Sequence, residues 1–541
     1  MERRNSLCTL ILIISCLFVL VAPFGGTIDL NSLDPSQGIA FSSAPGTNFG
    51  TSVRSCDMNG DGTADLVIGS PGANGGSGEI FVILGGKDLS TVDLNNPASS
   101  NSGFTLIYST ITGFGTKVIC LGDINSDNVE DLLIADDTQE FFYVLYGDPS
   151  YFSAASPLDA NNFVPPAKTI ITISSSAVFA GEAVGFGGNV MISVLDGSNY
   201  YAMVIFDRLD SYATIDIASS SPPSVIKISH GYQGDPLTFL PFGTLGDLDS
   251  NSFEEFAIGN LNAGTKVAII FGMGSGWTDM DLSSGSYSTS STPKVVFVYT
   301  PSPGLGLGTS VTIAGDVDGD GKNEIIVGAP YWPAWNLGQA FYIYSSALVA
   351  DVNVNTFPSS QGAVITFGTT SGTNVGRRIY GGLSTEKTRD EAAFAICNAY
   401  TSCYIIFGQS FSGTFDLDTL TMEEGFRIYN SALPGVMDPM HFYPIYDANG
   451  DGYSDYLIGQ TAVTGANGLA YIVYGPNRCS NQCQTCTGLT SAEQQTCATC
   501  PGIEFLYNGN CLGSCPTESY QSSSNTCTGK DKYFDQFLYV Y

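Results

Sequence analysis

Short apolar runs alternate with glycine-rich polar stretches along most of this chain. The first examples are LVI at 66–68 and IFVIL at 80–84, each followed by glycine. Runs of this length with such boundaries are typical of β-strands. No long stretch of helical periodicity follows the first two dozen residues. The pattern predicts an all-β protein.

An acidic loop interrupts the apolar runs within residues 49–85. Residues 57–65 read DMNGDGTAD, with oxygen donors at positions 1, 3, 5, 7 and 9 of the loop and glycine at position 6 for a sharp turn. A hard cation such as Ca²⁺ needs donors of this kind. Predicted strands flank the loop in place of the two helices of an EF-hand, and no Glu stands three positions after Asp65. The stretch therefore predicts a Ca²⁺ loop on a β-hairpin.

The loop recurs in four further places, so that five copies are intact. Each copy has acidic or amide side chains at positions 1, 3 and 5, a main-chain carbonyl at position 7 and a carboxylate at position 9. We expect about five Ca²⁺ ions, one for each intact copy. The expected ligands are Asp57, Asn59, Asp61, Thr63 and Asp65; Asp123, Asn125, Asp127, Val129 and Asp131; Asp247, Asp249, Asn251, Phe253 and Glu255; Asp316, Asp318, Asp320, Lys322 and Glu324; and Asp447, Asn449, Asp451, Tyr453 and Asp455.

The spacing of the five copies indicates two further repeats. Successive copies stand about 65 residues apart, or about twice that distance, in the sequence. Residues 186–206 and 374–408 fill the two long intervals with predicted strands but without the acidic loop. Five intact and two decayed copies give seven repeats, and we name the loops after their repeats as loops 1, 2, 4, 5 and 7. Repeats of several short strands are typical of a propeller or a solenoid.

The two ends of the repeat region favour the propeller. One further apolar strand follows each of the first six repeats, and none follows the seventh. Residues 27–41 (TIDLNSLDPSQGIAF) match residues 91–107, which carry that strand after repeat 1. A spare strand at one end and a vacancy at the other predict a closed seven-bladed β-propeller. We expect Gly38–Phe41 to complete the last blade beside Tyr471–Tyr474.

The repeats open and close on recurring motifs. Phe-Gly opens repeats at 49–50 and 114–115, and Gly-Ala-Pro at 328–330 closes a strand after an acidic loop. In this order the motifs resemble the FG-GAP repeats of the integrin α-subunit propeller and of related bacterial and protist proteins. The resemblance covers residues 27–475 and implies Ca²⁺ sites on one face of a seven-bladed ring. We find neither the inserted domain nor the later β-sandwich of integrin α chains, so integrin-like heterodimerisation is not expected.

Residues 1–26 are predicted to be a secretory signal peptide. Arg3 and Arg4 precede an apolar run from Leu7 to Ala22, which is short for a membrane-spanning helix. An uncleaved signal anchor is the alternative. We expect a secreted or cell-surface protein with no transmembrane segment after the signal peptide, although no Asn-x-Ser/Thr glycosylation site supports that location.

A cysteine-rich segment follows the repeats. Residues 479–527 carry eight cysteines and resemble furin-like, growth-factor-receptor-type cysteine-rich modules. A segment of about fifty residues buries little core, so we expect disulfides to hold it together. Zinc is the alternative, because Cys483 with Cys486 and Cys497 with Cys500 are spaced like zinc-ribbon ligands. Residues 528–541 form a short tail.

Four cysteines lie within the repeats. Cys397 and Cys403 flank NAYTS between two predicted strands, and we expect a disulfide across that hairpin. Cys56 and Cys120 fall on the first strands of neighbouring repeats. Two buried thiols and a disulfide are both compatible with that placement.

Composition and charge exclude several classes of function. The formal net charge of −32 opposes binding to nucleic acid and to anionic lipid. His230 and His441 are the only histidines, and no pairing of a nucleophile with a base is recognisable, so we expect no enzyme. FG-GAP repeats also accompany the catalytic domain of glycosylphosphatidylinositol-specific phospholipases, but residues 1–48 leave no room for such a domain.

These observations together predict a Ca²⁺-stabilised recognition or adhesion protein outside the cell. We expect it to bind an extracellular protein or a glycan through the propeller. A structural coat or matrix component without a discrete ligand is the alternative. Tyr331, Trp332 and Trp335 are either a ligand-binding patch or packing residues between blades.

Overall fold

The structure is a computed structural model that describes most of residues 27–475 and six strands between Thr485 and Gly529. Residues 1–26 and 530–541 lie outside the described residues, and the predicted signal peptide and most of the predicted tail fall there. The longest internal gaps are 90–102, 217–223, 230–241, 382–392, 431–439, 446–454, 461–467 and 476–484.

Seven sheets are arranged as the blades of a closed propeller, which confirms the predicted fold class. Each blade has four antiparallel strands that run in order from the ring axis to the rim. The first, innermost strands are Ser52–Cys56, Lys117–Gly122, Ala177–Phe186, Phe242–Gly246, Val311–Gly315, Arg378–Tyr380 and Met440–Ile445. The second strands are Asp65–Ser70, Asp131–Ala135, Asn189–Asp196, Glu255–Asn260, Glu324–Ala329, Ala393–Cys397 and Asp455–Gln460.

The outer half of each blade follows the same order. The third strands are Glu79–Ile83, Phe141–Leu145, Asn199–Phe206, Lys266–Ile270, Gln339–Ile343, Ser402–Phe407 and Leu469–Val473. The fourth strands are Gly103–Ile107, Lys168–Thr172, Ser224–Ser229, Val295–Tyr299, Gly362–Thr366, Gly425–Tyr429 and, for blade 7, Gly38–Ser42. The described acidic loops join first to second strands, so they lie on one face of the ring.

Within the described residues, six blades have a short fifth strand that belongs to the next repeat. It pairs parallel with the fourth strand of the blade and comes from the segment just before the fourth strand of the following blade. These strands are Leu158–Asp159, Thr214–Asp216, Met280–Asp281, Val352–Asn353, Gly413–Asp416 and Thr27–Asp29. In several cases an Asp or Asn at its end caps a following turn of 3-10 helix, as Asp29 does for Leu30–Ser32. The other 3-10 turns are Asn74–Gly76, Pro149–Ser153, Ala160–Asn162, Leu209–Ser211, Ser345–Ala347, Val354–Thr356 and Leu417–Thr419.

The N-terminal segment closes the ring, as the sequence predicted. Gly38 pairs with Val473 and Ser42 with Leu469, so Gly38–Ser42 is the outer strand of blade 7. A Cβ on Gly38 would lie 2.0 Å from the Ile472 carbonyl oxygen. Glycine also opens the fourth strand of three other blades, at Gly103, Gly362 and Gly425, with the same close approach to the third strand. The N-terminal strand therefore begins, like its counterparts, with a glycine that packs closely against the third strand.

The hydrophobic core lies between neighbouring blades. Phe114 is fully buried in the cluster between blades 1 and 2, and Phe49 is fully buried between blades 7 and 1. Each Phe precedes a glycine whose carbonyl contacts the neighbouring blade: a Cβ on Gly69 would lie 2.2 Å from the Gly115 oxygen. Blades 5 and 6 repeat this contact, with 2.0 Å between a Cβ on Gly328 and the Gly376 oxygen. The glycine of a Phe-Gly or Val-Gly pair thus packs against the glycine of a Gly-Ser-Pro or Gly-Ala-Pro motif in the neighbouring blade.

Both pairs of cysteines within the repeats form disulfides. Cys397 and Cys403 are directly opposite each other on the second and third strands of blade 6, which confirms the predicted hairpin bond. For Cys56 and Cys120 the structure shows the disulfide. It joins the innermost strands of blades 1 and 2, with the two Cα atoms 5.6 Å apart.

The hairpin disulfide should contribute modestly to stability. The double variant Cys397→Ala/Cys403→Ala is expected to lose about 2 kcal/mol of unfolding free energy, because the bond closes a short loop. Urea denaturation of this variant and of the wild type measures the difference. An unchanged unfolding midpoint would contradict the expectation.

Three two-stranded hairpins follow the propeller in the cysteine-rich segment. They pair Thr485–Thr490 with Gln494–Thr499, Phe505–Tyr507 with Asn510–Leu512, and Ser519–Gln521 with Cys527–Gly529. Among the described residues, no helix has the length and apolar character to span a membrane.

Candidate metal centre

The described acidic loops, loops 1, 2, 4 and 5, share one backbone conformation. In loop 1 the position-1 carboxylate, Asp57, accepts the N–H groups of Gly60 and Gly62, both at 2.8 Å. In loop 5 Asp316 does the same with Gly319 and Gly321, again at 2.8 Å. These bonds wind the loop around its first side chain and turn the other predicted donors toward a common centre.

Positions 4 and 6 adopt the left-handed backbone conformation in every described loop. Loops 1 and 5 place glycine at both positions, where φ is positive at no steric cost. Loops 2 and 4 place other residues there: Ser126 and Asn128 in loop 2, and Ser250 and Ser252, with φ of 64° and 71°, in loop 4. A left-handed conformation costs a non-glycine residue about 1–2 kcal/mol. The sequence predicted the turn at position 6 but not the second one at position 4.

This conformation makes opposite predictions for two exposed positions. Ser252→Gly in loop 4 should raise the unfolding free energy by about 1 kcal/mol, because glycine tolerates φ of 71°. Gly321→Ala in loop 5 should lower it by a similar amount, although a Cβ there would have no neighbour within 4 Å. Chemical denaturation of both variants tests this pair. Shifts of the same sign would show that loop backbone strain does not decide the outcome.

The position-9 carboxylate is a buried anchor at the base of each loop. One oxygen of Asp65 accepts Met58 N–H at 3.0 Å, and the other accepts Gly85 N–H, just beyond the third strand, at 3.0 Å. Asp131 bonds Ile124 and Gly147 in the same way. The same bond recurs at the remaining position-9 residues. Each accepts the main-chain N–H of the residue two positions after the end of the third strand, as in Glu255, Glu324 and Asp455.

Burial raises the pKa of these anchors well above the usual carboxyl range. The pKa of Asp65 rises to about 8, mainly because burial penalises its charge, and the charges of Asp57 and Asp61 raise it further. Burial likewise raises the pKa of Asp131, Glu255 and Glu324 to about 7. Each loop therefore holds more negative charge than its surroundings stabilise without a cation.

The donor set fits a hard divalent cation. In loop 4, carboxylate oxygens of Asp247, Asp249 and Glu255 lie within 4.8 Å of one another, and in loop 5 those of Asp316, Asp318 and Asp320 do so. All donors are carboxylate, amide or main-chain oxygens, which suit Ca²⁺ and Mg²⁺ and not softer metals. Position 5 also fixes position 7, because the Asp61 carboxylate accepts Thr63 N–H at 2.8 Å.

Not all predicted site residues fall within the described structure. Asp455 is fully buried at the base of loop 7, whereas its other predicted ligands, Asp447, Asn449, Asp451 and Tyr453, lie outside the described residues. The same holds for His230, Trp332 and Trp335. Tyr331 is half-buried, with its ring edge 2.9 Å from the position of a Cβ on Gly306.

Two residues at position 8 contact the neighbouring loop, which sequence reasoning missed. Glu130 of loop 2 accepts Asp57 N–H of loop 1 at 2.7 Å. Asn323 of loop 5 donates to the Leu245 carbonyl, just before loop 4, at 3.1 Å. In the sequence, the only sign of these contacts was a polar residue at position 8, between the carbonyl ligand at position 7 and the carboxylate at position 9.

Comparison with known proteins agrees with this geometry. The FG-GAP repeat family matches residues 49–83 and 307–345, which contain loops 1 and 5 with their flanking strands. The ring therefore contains two stretches that are similar to FG-GAP repeats. Integrin alpha-4 of Xenopus laevis is 33% identical to the chain over 92 residues. That similarity spans 17% of this chain and 8% of the integrin, so it covers a small part of either protein.

Proposed function

We propose that this protein is a recognition or adhesion protein outside the cell, with a propeller stabilised by Ca²⁺. The observation that carries the proposal is the repetition of one oxygen-lined loop conformation in four described loops on one face of the ring. Unrelated acidic clusters would not share a backbone conformation. The FG-GAP matches support the same assignment.

The proposed ion in each loop has a structural role. Positions 1, 3 and 5 hold it through side chains, position 7 through its carbonyl, and position 9 through the lone pairs that its two N–H bonds leave free. Extracellular Ca²⁺ modules bind with Kd values of about 10⁻⁴–10⁻³ M, so such loops stay filled outside a cell. A filled ring presents a rigid surface for a protein or glycan ligand.

Location outside the cell is part of the proposal. The two disulfides of the propeller suit an oxidising compartment. The predicted signal peptide at 1–26 and the furin-like module at 479–527 agree with that location. The proposal includes no catalytic step.

Two measurements test the proposed function in turn. Calorimetric titration of the chelator-treated full chain with CaCl₂ should show about five ions bound, and titration with NaCl of equal ionic strength should show none. The calcium-loaded protein is then screened against glycan and extracellular-protein arrays. Saturable binding to a discrete ligand supports recognition, whereas calcium binding without any ligand favours the structural coat or matrix role.

A further inference from the structure

One residue of loop 2 makes two hydrogen bonds to loop 1. Glu130, at position 8 of loop 2, accepts Asp57 N–H with its Oε2 atom at 2.7 Å. The Glu130 main-chain N–H donates in return to the Asp57 carbonyl at 2.9 Å. Asp57 is the first proposed ligand of loop 1. Both of its main-chain polar groups are therefore bonded to the neighbouring loop.

Further contacts pack the same two loops together. A Cβ on Gly60, at position 4 of loop 1, would lie only 3.0 Å from Cγ2 of Val129, which is position 7 of loop 2. Cys56, directly before Asp57, is covalently bonded to Cys120 on the strand that leads into loop 2. The loops share one packed and cross-linked base.

The Glu130 carboxylate stands between the two proposed ion sites. It interacts electrostatically with both Asp57 and Asp123. Asp57 and Asp123 are the position-1 ligands of loops 1 and 2. One negative charge therefore acts on both sites.

Loops 4 and 5 are joined in the same direction. Asn323, at position 8 of loop 5, donates to the Leu245 carbonyl two residues before Asp247. A Cβ on Gly246 would lie 2.7 Å from the same Asn323 nitrogen, so the side chain rests on the stem of loop 4. The corresponding residue of loop 1, which faces blade 7, is Ala64 and has no polar side chain. Repeat 6 has no acidic loop for loop 7 to contact.

We infer that the described ion loops form two cooperative pairs, 1 with 2 and 4 with 5. Loop 7, whose preceding repeat has no acidic loop in the sequence, is used as the reference site. This inference rests on the proposed function, because it requires that the loops bind cations. An ion in loop 2 fixes positions 7 and 9 on either side of Glu130, and Glu130 then holds the first ligand of loop 1 in place. The second ion meets a loop that is already ordered, which gives positive cooperativity. The shared charge of Glu130 attracts both ions and opposes the repulsion between them.

Equilibrium dialysis of the full chain against radiolabelled calcium tests the pairing. The free calcium concentration is set where the wild type is half saturated. Asp447→Ala should then lower the amount of bound calcium only by the amount that loop 7 holds in the wild type. Asp57→Ala should also weaken loop 2 at least about fivefold, so that the loss of bound calcium clearly exceeds that of Asp447→Ala. Asp123→Ala should behave like Asp57→Ala, because coupling between binding sites is reciprocal.

Glu130→Ala provides the matched control. Alanine already occupies this position in loop 1, as Ala64, so the substitution is compatible with the loop conformation. In the Glu130→Ala background, Asp57→Ala should remove no more calcium than Asp447→Ala does. At saturating calcium each single Asp variant should bind one ion fewer than the wild type, which shows that its remaining loops are folded.

The outcomes separate the pairing from the function on which it rests. Equal losses for Asp57→Ala, Asp123→Ala and Asp447→Ala at half saturation would overturn the pairing and leave calcium binding intact. A wild type that binds no calcium at millimolar concentration would overturn the proposed function itself. A larger loss for Asp57→Ala that persists unchanged in the Glu130→Ala background would overturn the role of Glu130.

Discussion

Removal of calcium is expected to lower the melting temperature of this protein by about 5 °C. At a calcium concentration about five times Kd, each filled loop stabilises the folded state by about 1 kcal/mol, and five loops add about 5 kcal/mol. For a propeller of this size that free energy corresponds to about 5 °C. Without the cation, the clustered carboxylates of loops such as loop 5 repel one another. Thermal scans in CaCl₂ and in excess EGTA at equal ionic strength measure the difference.

Two variants show whether the effect arises in the loops. Asp316→Ala removes the carboxylate around which loop 5 is wound. It should reduce the difference between the two scans by about one fifth for the ion of loop 5, and by a further amount because loop 4 is coupled to loop 5. Asp390→Ala lies in the repeat without an acidic loop and should leave the difference unchanged. Identical melting curves with and without EGTA for the wild type would rule out stabilisation by calcium.

Deletion of residues 27–42 is expected to destabilise the entire propeller. The deletion removes the outer strand of blade 7 and the fifth strand of blade 6. It also removes the buried side chains of Ile28, Leu30 and Phe41, each of which contributes about 1.5–3 kcal/mol. The exposed edge of Leu469–Val473 would then be free to pair with other molecules. We expect loss of the cooperative thermal transition, with aggregation, in calorimetry and size-exclusion chromatography.

A shorter deletion separates ring closure from the loss of a rim strand. Removing residues 27–33 takes away Thr27–Asp29 and its turn but retains Gly38–Ser42. This variant should keep a single transition at a lower temperature. If the longer deletion also retained a single transition and full solubility, closure by the N-terminal strand would not be needed for the fold.

The sequence predicted the ring and the loops because the repeats provide independent copies of the same signal. A missing strand after repeat 7 could be recognised only because six other repeats had one. The same redundancy made the loss of the acidic loop visible in repeats 3 and 6. The left-handed residues at position 4 were missed because Ser250 and Ser126 carry no glycine signal.

Contacts between repeats were harder to predict. The fifth strands are as short as Val352–Asn353 and have no apolar pattern of their own. The disulfide between Cys56 and Cys120 depends on the 5.6 Å between two strands of different blades, which no local spacing encodes. Glu130 and Asn323 differ in type and have no counterpart in loop 1, so the repeat pattern gave no reason to single them out.

The fifth strands have a consequence for how such a ring can change its size in evolution. The repeat along the chain is offset from the blade that folds, since in the described residues repeats 2 to 6 each supply four strands to their own blade and one short strand to the blade before it. A newly duplicated repeat would thus form its own blade, pair its short strand with the blade before it, and receive a short strand from the repeat after it. Rings with more or fewer blades can arise in this way without an intermediate that exposes a bare sheet edge, provided that the N-terminal segment still meets the last repeat through bonds such as that from Tyr474 N–H to the Gln37 carbonyl.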